Sequence, residues 1–234
     1  MTDFLTKLIK LDNELNIAEL HQQVKQIINT CNLLDQKLIP LKQVPKLGIK
    51  VIDNKTKLAN NLLNNFRQYL SMHYGLWSLP NLTTAKLIIN RYQPNLILEV
   101  MAGNAAWSKA FQLAGAQVIA TDNLEWAKSS NTGQKQLTHV ENLTANAALS
   151  KYQNCDLIIC SWAPNFGQAD VELTSYWRQH SNAKLLVVGE ELGATNSAAF
   201  WLNETFATSA NLKEINQSFT SFDFINEKIF EIER

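Results

Sequence analysis

The stretch Leu98-Glu99-Val100-Met101-Ala102-Gly103-Asn104-Ala105 decides the fold of this chain. It lies across a short apolar run, Leu96 to Met101, that predicts a buried strand, and it leads through Gly103 into a helix-like stretch from Ala105 to Ala114. Glycine lets a backbone turn tightly and approach a ligand, and the free amides at a helix start favour anionic groups. The stretch therefore predicts a strand, a ligand-binding turn and a helix.

Similar apolar runs recur after this stretch. Gln117 to Thr121, Asp156 to Cys160 and Lys184 to Gly189 are continuous apolar segments separated by helical ones, a pattern typical of parallel strands buried on both faces. The end of the chain differs, because Leu212 to Phe219 and Ile225 to Ile232 lie close together and predict an antiparallel hairpin that closes the sheet. We expect an α/β fold with a doubly wound, mostly parallel sheet.

The first 75 residues have a helical pattern instead. Apolar residues recur at helical spacing from Ile17 to Cys31, and Asn54 can cap a second long helix that extends to Leu70. Two such helices bury little core of their own, so we expect residues 1–75 to form a helical cap on a domain of residues 76–234. In the aromatic connection between the two parts, Tyr74 and Trp77 either cover a bound ligand or simply pack there.

Composition excludes several classes of function. The 21 basic and 21 acidic side chains give no net charge and no basic stripe, so a nucleic-acid partner is not expected. The three cysteines lack zinc-ligand spacing, which indicates buried free thiols and no metal site. No apolar run approaches the ~18 residues that span a bilayer, and Met1 to Asp3 do not open a signal peptide. We expect a cytoplasmic protein; the sequence leaves its oligomeric state open.

A candidate ligand site follows from two neighbouring strand ends. Asp122 comes 19 positions after Gly103, at the end of the next predicted strand, where its carboxylate could accept hydrogen bonds from both hydroxyls of a ribose. A dinucleotide site needs Gly-x-Gly-x-x-Gly, but the positions counted from Gly103 hold Ala105 and Ser108. An NAD(P)-dependent oxidoreductase therefore stays only as an alternative.

The acid before the turn, Glu99, fits another class. The segment resembles the Glu/Asp-x-Gly-x-Gly-x-Gly motif of class I S-adenosylmethionine-dependent methyltransferases: Glu99 and Gly103 match it, and Met101 and Ala105 replace the flanking glycines. The resemblance implies a Rossmann-like, seven-stranded sheet, S-adenosylmethionine as cofactor, and a small-molecule or protein methyl acceptor. Because Met101 puts a long side chain where the backbone usually lies against the cofactor, a non-enzymatic methyltransferase-like binding module is a further alternative.

A second motif is more specific. Ser161-Trp162-Ala163-Pro164 and then Val188-Gly189-Glu190 are similar to the Ser-Trp-Pro-Pro and Val-Gly-Glu segments of a little-characterised group of methyltransferase-like proteins. The resemblance makes Ser161, Trp162, Pro164 and Glu190 the catalytic candidates. Glu190 would serve either as a general base or as a hydrogen-bond partner of the loop after the fifth strand, and we favour the second.

The expected cofactor contacts lie at strand ends and in the aromatic connection. Thr144-Ala145 stand where relatives often have Asp-Ala beside the adenine, although an ordinary helix start explains them equally well. The full set of cofactor-binding candidates is Glu99, Met101, Ala102, Gly103, Asn104, Asp122, Asn123, Thr144, Ala145, Ser161, Tyr74 and Trp77.

Overall fold

The computed structural model describes residues 3–234 and contains one six-stranded sheet in that range. The strands lie in the order β3-β2-β1-β4-β5-β6; β1 to β5 are parallel, and β6 is antiparallel to β5. Their bounds are β1 Ile97–Val100, β2 Val118–Asp122, β3 Val140–Asn142, β4 Leu157–Ser161, β5 Lys184–Gly189 and β6 Lys228–Glu231. The predicted α/β fold with a mostly parallel sheet is confirmed.

Eleven α-helices surround the sheet within the described residues, four of them before the connection to the sheet. Their bounds are α1 Asp3–Leu15, α2 Ala18–Asp35, α3 Asn54–Asn64, α4 Phe66–Tyr74, α5 Leu82–Tyr92, α6 Ala106–Leu113, α7 Glu125–Ser129, α8 Ala145–Lys151, α9 Ala169–His180, α10 Ala198–Asn203 and α11 Ala210–Ser218. The second predicted N-terminal helix is divided at Asn65, and its cap is Asp53, whose carboxylate accepts the Thr56 amide, instead of Asn54.

The closing hairpin was predicted wrongly in its first half. The segment from Ala210 to Ser218 is helix α11, because Leu212 and Ile215 lie three residues apart on one buried face and Ser209 caps the helix by accepting the Leu212 amide. Beyond β6, Phe206 forms only an isolated antiparallel bridge with Ile232. The described sheet therefore has six strands, and the expected seventh is not found.

The N-terminal helices share a core with one face of the sheet. A single cluster of buried apolar residues joins Leu20 and Leu63 of the helices to Ile97 and Leu157 of the sheet. The other face of the sheet has its own cluster under α8, α9 and α10. Burial of apolar surface stabilises a fold by roughly 25 cal/mol per Å². The N-terminal helices and the sheet therefore stabilise each other through this shared core.

Two further observations concern the whole chain. All three cysteines are free and buried, as the sequence predicts, and burial raises the pKa of the Cys31 thiol to about 12. Within residues 3–234, the helices are all too short or too polar to pass through a bilayer.

Candidate functional site

A cavity of about 880 Å³ opens at the carboxyl ends of the parallel strands. It lies around the place where strand order reverses between β1 and β4, which is where ligands bind in open α/β sheets. Thirteen of the residues predicted from the sequence line it: Trp77, Glu99, Met101, Ala102, Gly103, Asn104, Asp122, Asn123, Thr144, Ala145, Ser161, Trp162 and Pro164.

The turn between β1 and α6 has an unusual backbone. Met101, Gly103 and Ala105 all have positive φ, at 52°, 51° and 57°. A left-handed conformation costs a residue with a side chain roughly 1–2 kcal/mol, so two of the three positions store strain that glycine would not. The Met101 side chain packs towards β4, with its Sδ 3.9 Å from Cys160 Sγ. The turn therefore has a left-handed residue at each of its three motif positions without three glycines.

Glu99 lies beneath this turn and is 1% exposed. Its Oε2 accepts a hydrogen bond of 2.7 Å from the Ser108 amide in the first turn of α6. Burial raises the pKa of Glu99 to about 7; the Ser108 hydrogen bond opposes this shift and the charge of Asp122 adds to it. The Glu99 carboxylate thus accepts the hydrogen bond of one helix-start amide that would otherwise be free to bind an anionic ligand.

Asp122, at the end of β2, ties that strand to the turn. Its Oδ2 accepts the Gly103 amide at 2.9 Å and its Oδ1 accepts the Leu124 amide at 2.7 Å. A carboxylate has about four lone-pair positions, so each oxygen can accept a second hydrogen bond. Asp122 is only partly buried and lines the cavity, and that second acceptor position is available to a ligand hydroxyl.

Asn104 joins the turn to the aromatic connection. Its side chain is buried, and Nδ2 donates to the carbonyls of Tyr74 and Thr132 at 2.7 Å each. Gly75 lies directly beside it with φ of 68°, and a Cβ at that position would come within 2.4 Å of Asn104 Nδ2 and 2.8 Å of Trp126. Only glycine fits there, so the connection is held close against the cavity.

Trp162, the residue after β4, is fixed from several sides. Its φ of 56° is rare for a bulky residue. Its Nε1 donates to Glu227 Oε1 at 2.7 Å, and its ring stacks on Trp77 with centroids 5.6 Å apart and planes 18° apart. Strained residues persist only where their surroundings hold them, and they cluster at ligand sites.

A buried charge cluster of Arg67, Asp223 and Glu227 lies beside Trp162, and its arginine comes from the N-terminal helix α4. Arg67 of α4 donates to both carboxylate oxygens of Asp223, to Glu227 Oε2 and to the Trp77 carbonyl. Its guanidinium lies 5.0 Å from the centre of the Trp162 ring. Burial alone would lower the pKa of Arg67, but the carboxylates of Glu227 and Asp223 raise it overall. The cluster makes the position of Trp162 depend on α4.

Two predicted residues lie outside the cavity lining. The Tyr74 hydroxyl donates to Asp35 Oδ1 at 2.9 Å and to the Cys31 carbonyl, so this ring faces α2, and only its carbonyl contacts the site through Asn104. Glu190 accepts the amides of Ala194 and Asn226 and holds the loop after β5. Neither residue is part of the cavity lining, and Glu190 has the loop contacts that the sequence favoured.

Thr144 and Ala145 are consistent with both interpretations that the sequence left open, a helix start and a ligand contact. Thr144 accepts the Ala147 amide and so caps α8, and together with Ala145 it also lines the cavity. A helix start and a ligand contact are therefore compatible at this position.

Several lining residues were not identified from the sequence. Trp107, Trp126, Phe166 and Glu172 also border the cavity. Trp126 and Phe166 follow β2 and β4 by only a few residues, which was a usable indication, since loops at the carboxyl ends of strands surround such a site. Within the described part of the chain, no lysine, arginine or histidine is among the lining residues.

Comparison with known proteins gives structural likenesses only. No family model and no curated protein sequence matches the chain. Among similar solved structures are the plantazolicin methyltransferase BpumL in complex with SAH (12% identity, 78% of this chain and 91% of that one, TM-score 0.43) and the magnesium protoporphyrin IX methyltransferase from Synechocystis PCC 6803 with bound SAM (14%, 80% and 86%, TM-score 0.39). A third is human N-acetylserotonin methyltransferase in complex with SAM (10%, 74% and 56%, TM-score 0.43).

These likenesses are weak, because all three TM-scores are below 0.5. The chain spans little more than half of the human enzyme and most of the other two. The three similar structures are all methyltransferases.

Proposed function

We propose that the cavity binds S-adenosylmethionine and that the protein is a methyltransferase. The observation that carries this proposal is the turn Met101 to Ala105, which has a left-handed residue at each motif glycine position and is hydrogen-bonded to Asp122. Two of these residues are not glycine, so the sequence accepts a backbone penalty to keep this shape. Strain kept at the mouth of a cavity is best explained by a ligand that needs it.

The lining residues fit the parts of this cofactor. Asp122 would accept hydrogen bonds from the ribose hydroxyls, the turn would lie along the amino-acid part, and Thr144 and Ala145 would border the adenine. The cavity of about 880 Å³ is within the roughly 300–1,000 Å³ of ligand pockets, and it has room beside the cofactor for a second molecule. S-adenosylmethionine supplies an already activated methyl group, so the protein mainly needs to position the acceptor.

The same contacts argue against a dinucleotide. The pyrophosphate of NAD or NADP normally rests on the amides at a helix start. Here the Glu99 carboxylate accepts the Ser108 amide at the start of α6, and no basic side chain among residues 3–234 lines the cavity to offset the phosphate charges. An NAD(P)-dependent oxidoreductase is therefore disfavoured.

The β4 end favours an enzyme over a binding module. Ser161, Trp162 and Pro164 line the cavity on the side away from Asp122, and Trp162 is held in a strained conformation. Cofactor binding alone gives no reason for this strain, whereas placing a second molecule does. The acceptor, a small molecule or a protein side chain, would lie there.

The proposal gives residues 1–75 the role of a cap on residues 76–234. Gly75 lines the cavity directly, and Arg67 contacts the Trp162 ring and donates to the Trp77 carbonyl. The N-terminal helices would thus shape the acceptor side of the site as well as cover the core.

A ligand panel tests the proposal. Thermal unfolding with S-adenosylmethionine, S-adenosylhomocysteine, NAD and NADP should show a rise in Tm with the first two only. Asp122→Asn should weaken S-adenosylhomocysteine binding by about 5- to 150-fold, equivalent to about 1–3 kcal/mol for unpaired ribose hydroxyls.

Asp156→Asn is the matched control. Asp156 also accepts two backbone amides, those of Asn95 and Leu96, but it lies outside the cavity lining. Equal losses in both variants, or stabilisation by NAD instead, would overturn the proposed function.

A further inference from the structure

Exposed aromatic rings line the acceptor half of the cavity, which is the part around Trp77, Trp162 and Phe166. Trp77 is 47% exposed and Phe166 is 78% exposed, although both are large apolar side chains. Both line the cavity together with Trp162, on which Trp77 stacks. Large apolar rings left in water in the lining of one cavity indicate a surface that a ligand covers. Their flat faces suit a flat ligand.

The charge of the cavity is entirely acidic. Three carboxylates line it, those of Glu99, Asp122 and Glu172, and no basic side chain of residues 3–234 does. The first two are hydrogen-bonded to backbone amides on the cofactor side. Glu172, in the first turn of α9 beyond β4, has no ion pair within the described chain and is exposed. It is therefore the carboxylate available to the acceptor.

The nearby Arg67 does not change this charge. Its guanidinium lies behind Trp162 and is hydrogen-bonded to the carboxylates of Asp223 and Glu227. One cation between two carboxylates leaves no positive field for the cavity. An anionic ligand there would lose its hydration without gaining a counter-charge, which is costly.

Building on the function proposed above, we propose that the acceptor is a flat aromatic compound that carries a positively charged nitrogen. Its ring packs against the exposed rings of Trp77 and Phe166, and its charge faces Glu172. A cation beside aromatic faces gains about 0.5–2 kcal/mol, and the carboxylate adds to this attraction. A carboxylate or phosphate on the same ring should weaken binding.

Three probes with one ring and three charges test this inference. Calorimetry would measure binding of 2-naphthylmethylamine, 2-naphthylmethanol and 2-naphthoate to the full chain, with and without saturating S-adenosylhomocysteine to fill the cofactor half. The amine should bind about tenfold more tightly than the alcohol, and the naphthoate should bind most weakly. A naphthoate that binds as tightly as the amine, or failure of all three to bind, would overturn the inference.

Variants assign the preference to named side chains. Glu172→Gln should reduce the affinity for the amine to that for the alcohol and leave the alcohol unchanged, whereas Glu19→Gln, at an exposed position on α2, should change neither. Trp77→Ala should weaken all three probes by about fivefold or more, and Trp77→Phe should restore most of the loss. If Glu172→Gln lowers the affinity for the alcohol as much as for the amine, the charge assignment fails.

The two proposals fail separately. Binding of S-adenosylhomocysteine without any charge preference among the probes would remove the acceptor class and keep the cofactor. Preference for the amine without binding of S-adenosylhomocysteine would keep a site for flat aromatic cations and remove both the cofactor and the acceptor role.

Discussion

Arg67→Met should destabilise the fold more than any surface substitution. Arg67, Asp223 and Glu227 are 5%, 1% and 2% exposed, and Arg67 makes four hydrogen bonds within the cluster. Methionine matches much of the apolar volume of arginine but donates nothing. The variant would leave two buried carboxylates without their counter-charge and without the Arg67 hydrogen bonds, although Trp162 still donates to Glu227, and Ser221 and Ile225 still donate to Asp223.

The expected loss can be bounded from this geometry. Removing one partner of a buried ion pair typically costs about 3–5 kcal/mol, because the remaining charge is buried without compensation. The free energy of unfolding of a domain is only about 5–15 kcal/mol. Arg67→Met should therefore remove roughly a fifth or more of the stability. An exposed pair such as Lys7 and Asp3 contributes only about 0–1 kcal/mol.

Urea unfolding followed by circular dichroism would measure the loss. The triple variant Arg67→Met, Asp223→Asn, Glu227→Gln should be more stable than the single variant, because it also removes the uncompensated charges. A loss below about 1 kcal/mol for Arg67→Met, or a triple variant less stable than the single one, would refute the assignment of a buried charge cluster.

Three further outcomes follow from the structure. Ala105→Gly should change the free energy of unfolding by less than about 1 kcal/mol, because relief of the left-handed strain offsets the lost methyl group. The control Ala110→Gly, at an equally buried position inside α6, should lower it by about 1.5–2 kcal/mol. Equal losses for the two variants in urea titrations would contradict the strain argument. Because burial raises the pKa of Glu99 to about 7 from 4.5, the native state holds this proton more tightly, so stability falls as pH rises from about 4.5 to 7. The Glu99→Gln variant should therefore gain in stability relative to the parent over that range. If the free energies of unfolding of the two proteins changed in parallel with pH, the raised pKa of Glu99 would be contradicted. Residues 76–234 expressed alone should fold poorly and bind S-adenosylhomocysteine weakly, since the shared core and the Arg67 contacts are missing; a stable fragment with full affinity would show that residues 1–75 are not a cap.

The sheet was predictable because its strands carry their own pattern. Parallel strands buried on both faces need continuous apolar runs, and the run Lys184 to Gly189 matches β5 at both ends. The hairpin failed because Leu212, Ile215 and Phe219 fit a short strand by composition, while their spacing of three and four residues is helical. In a segment this short, the period is decided by what it packs against.

The lining residues that follow β1, β2 and β4 directly were largely predictable, whereas Glu172 on α9 was not. Gly103 lies in the turn after β1 and Asp122 at the end of the neighbouring strand β2, so their distance in the sequence predicted their proximity. Glu172 reaches the cavity from α9, and Tyr74 points away because its hydroxyl donates to Asp35 on another helix. No local pattern encodes these tertiary contacts.

A crystal structure of the full chain grown with saturating S-adenosylhomocysteine would locate the ligand. The ribose hydroxyls should lie within hydrogen-bonding distance of the Asp122 carboxylate, the amino-acid part along Met101 to Asn104, and the sulfur towards Ser161 and Trp162. A ligand bound away from the β1 turn, or a cavity that stays empty at saturating ligand, would contradict the assignment of this site to S-adenosylmethionine.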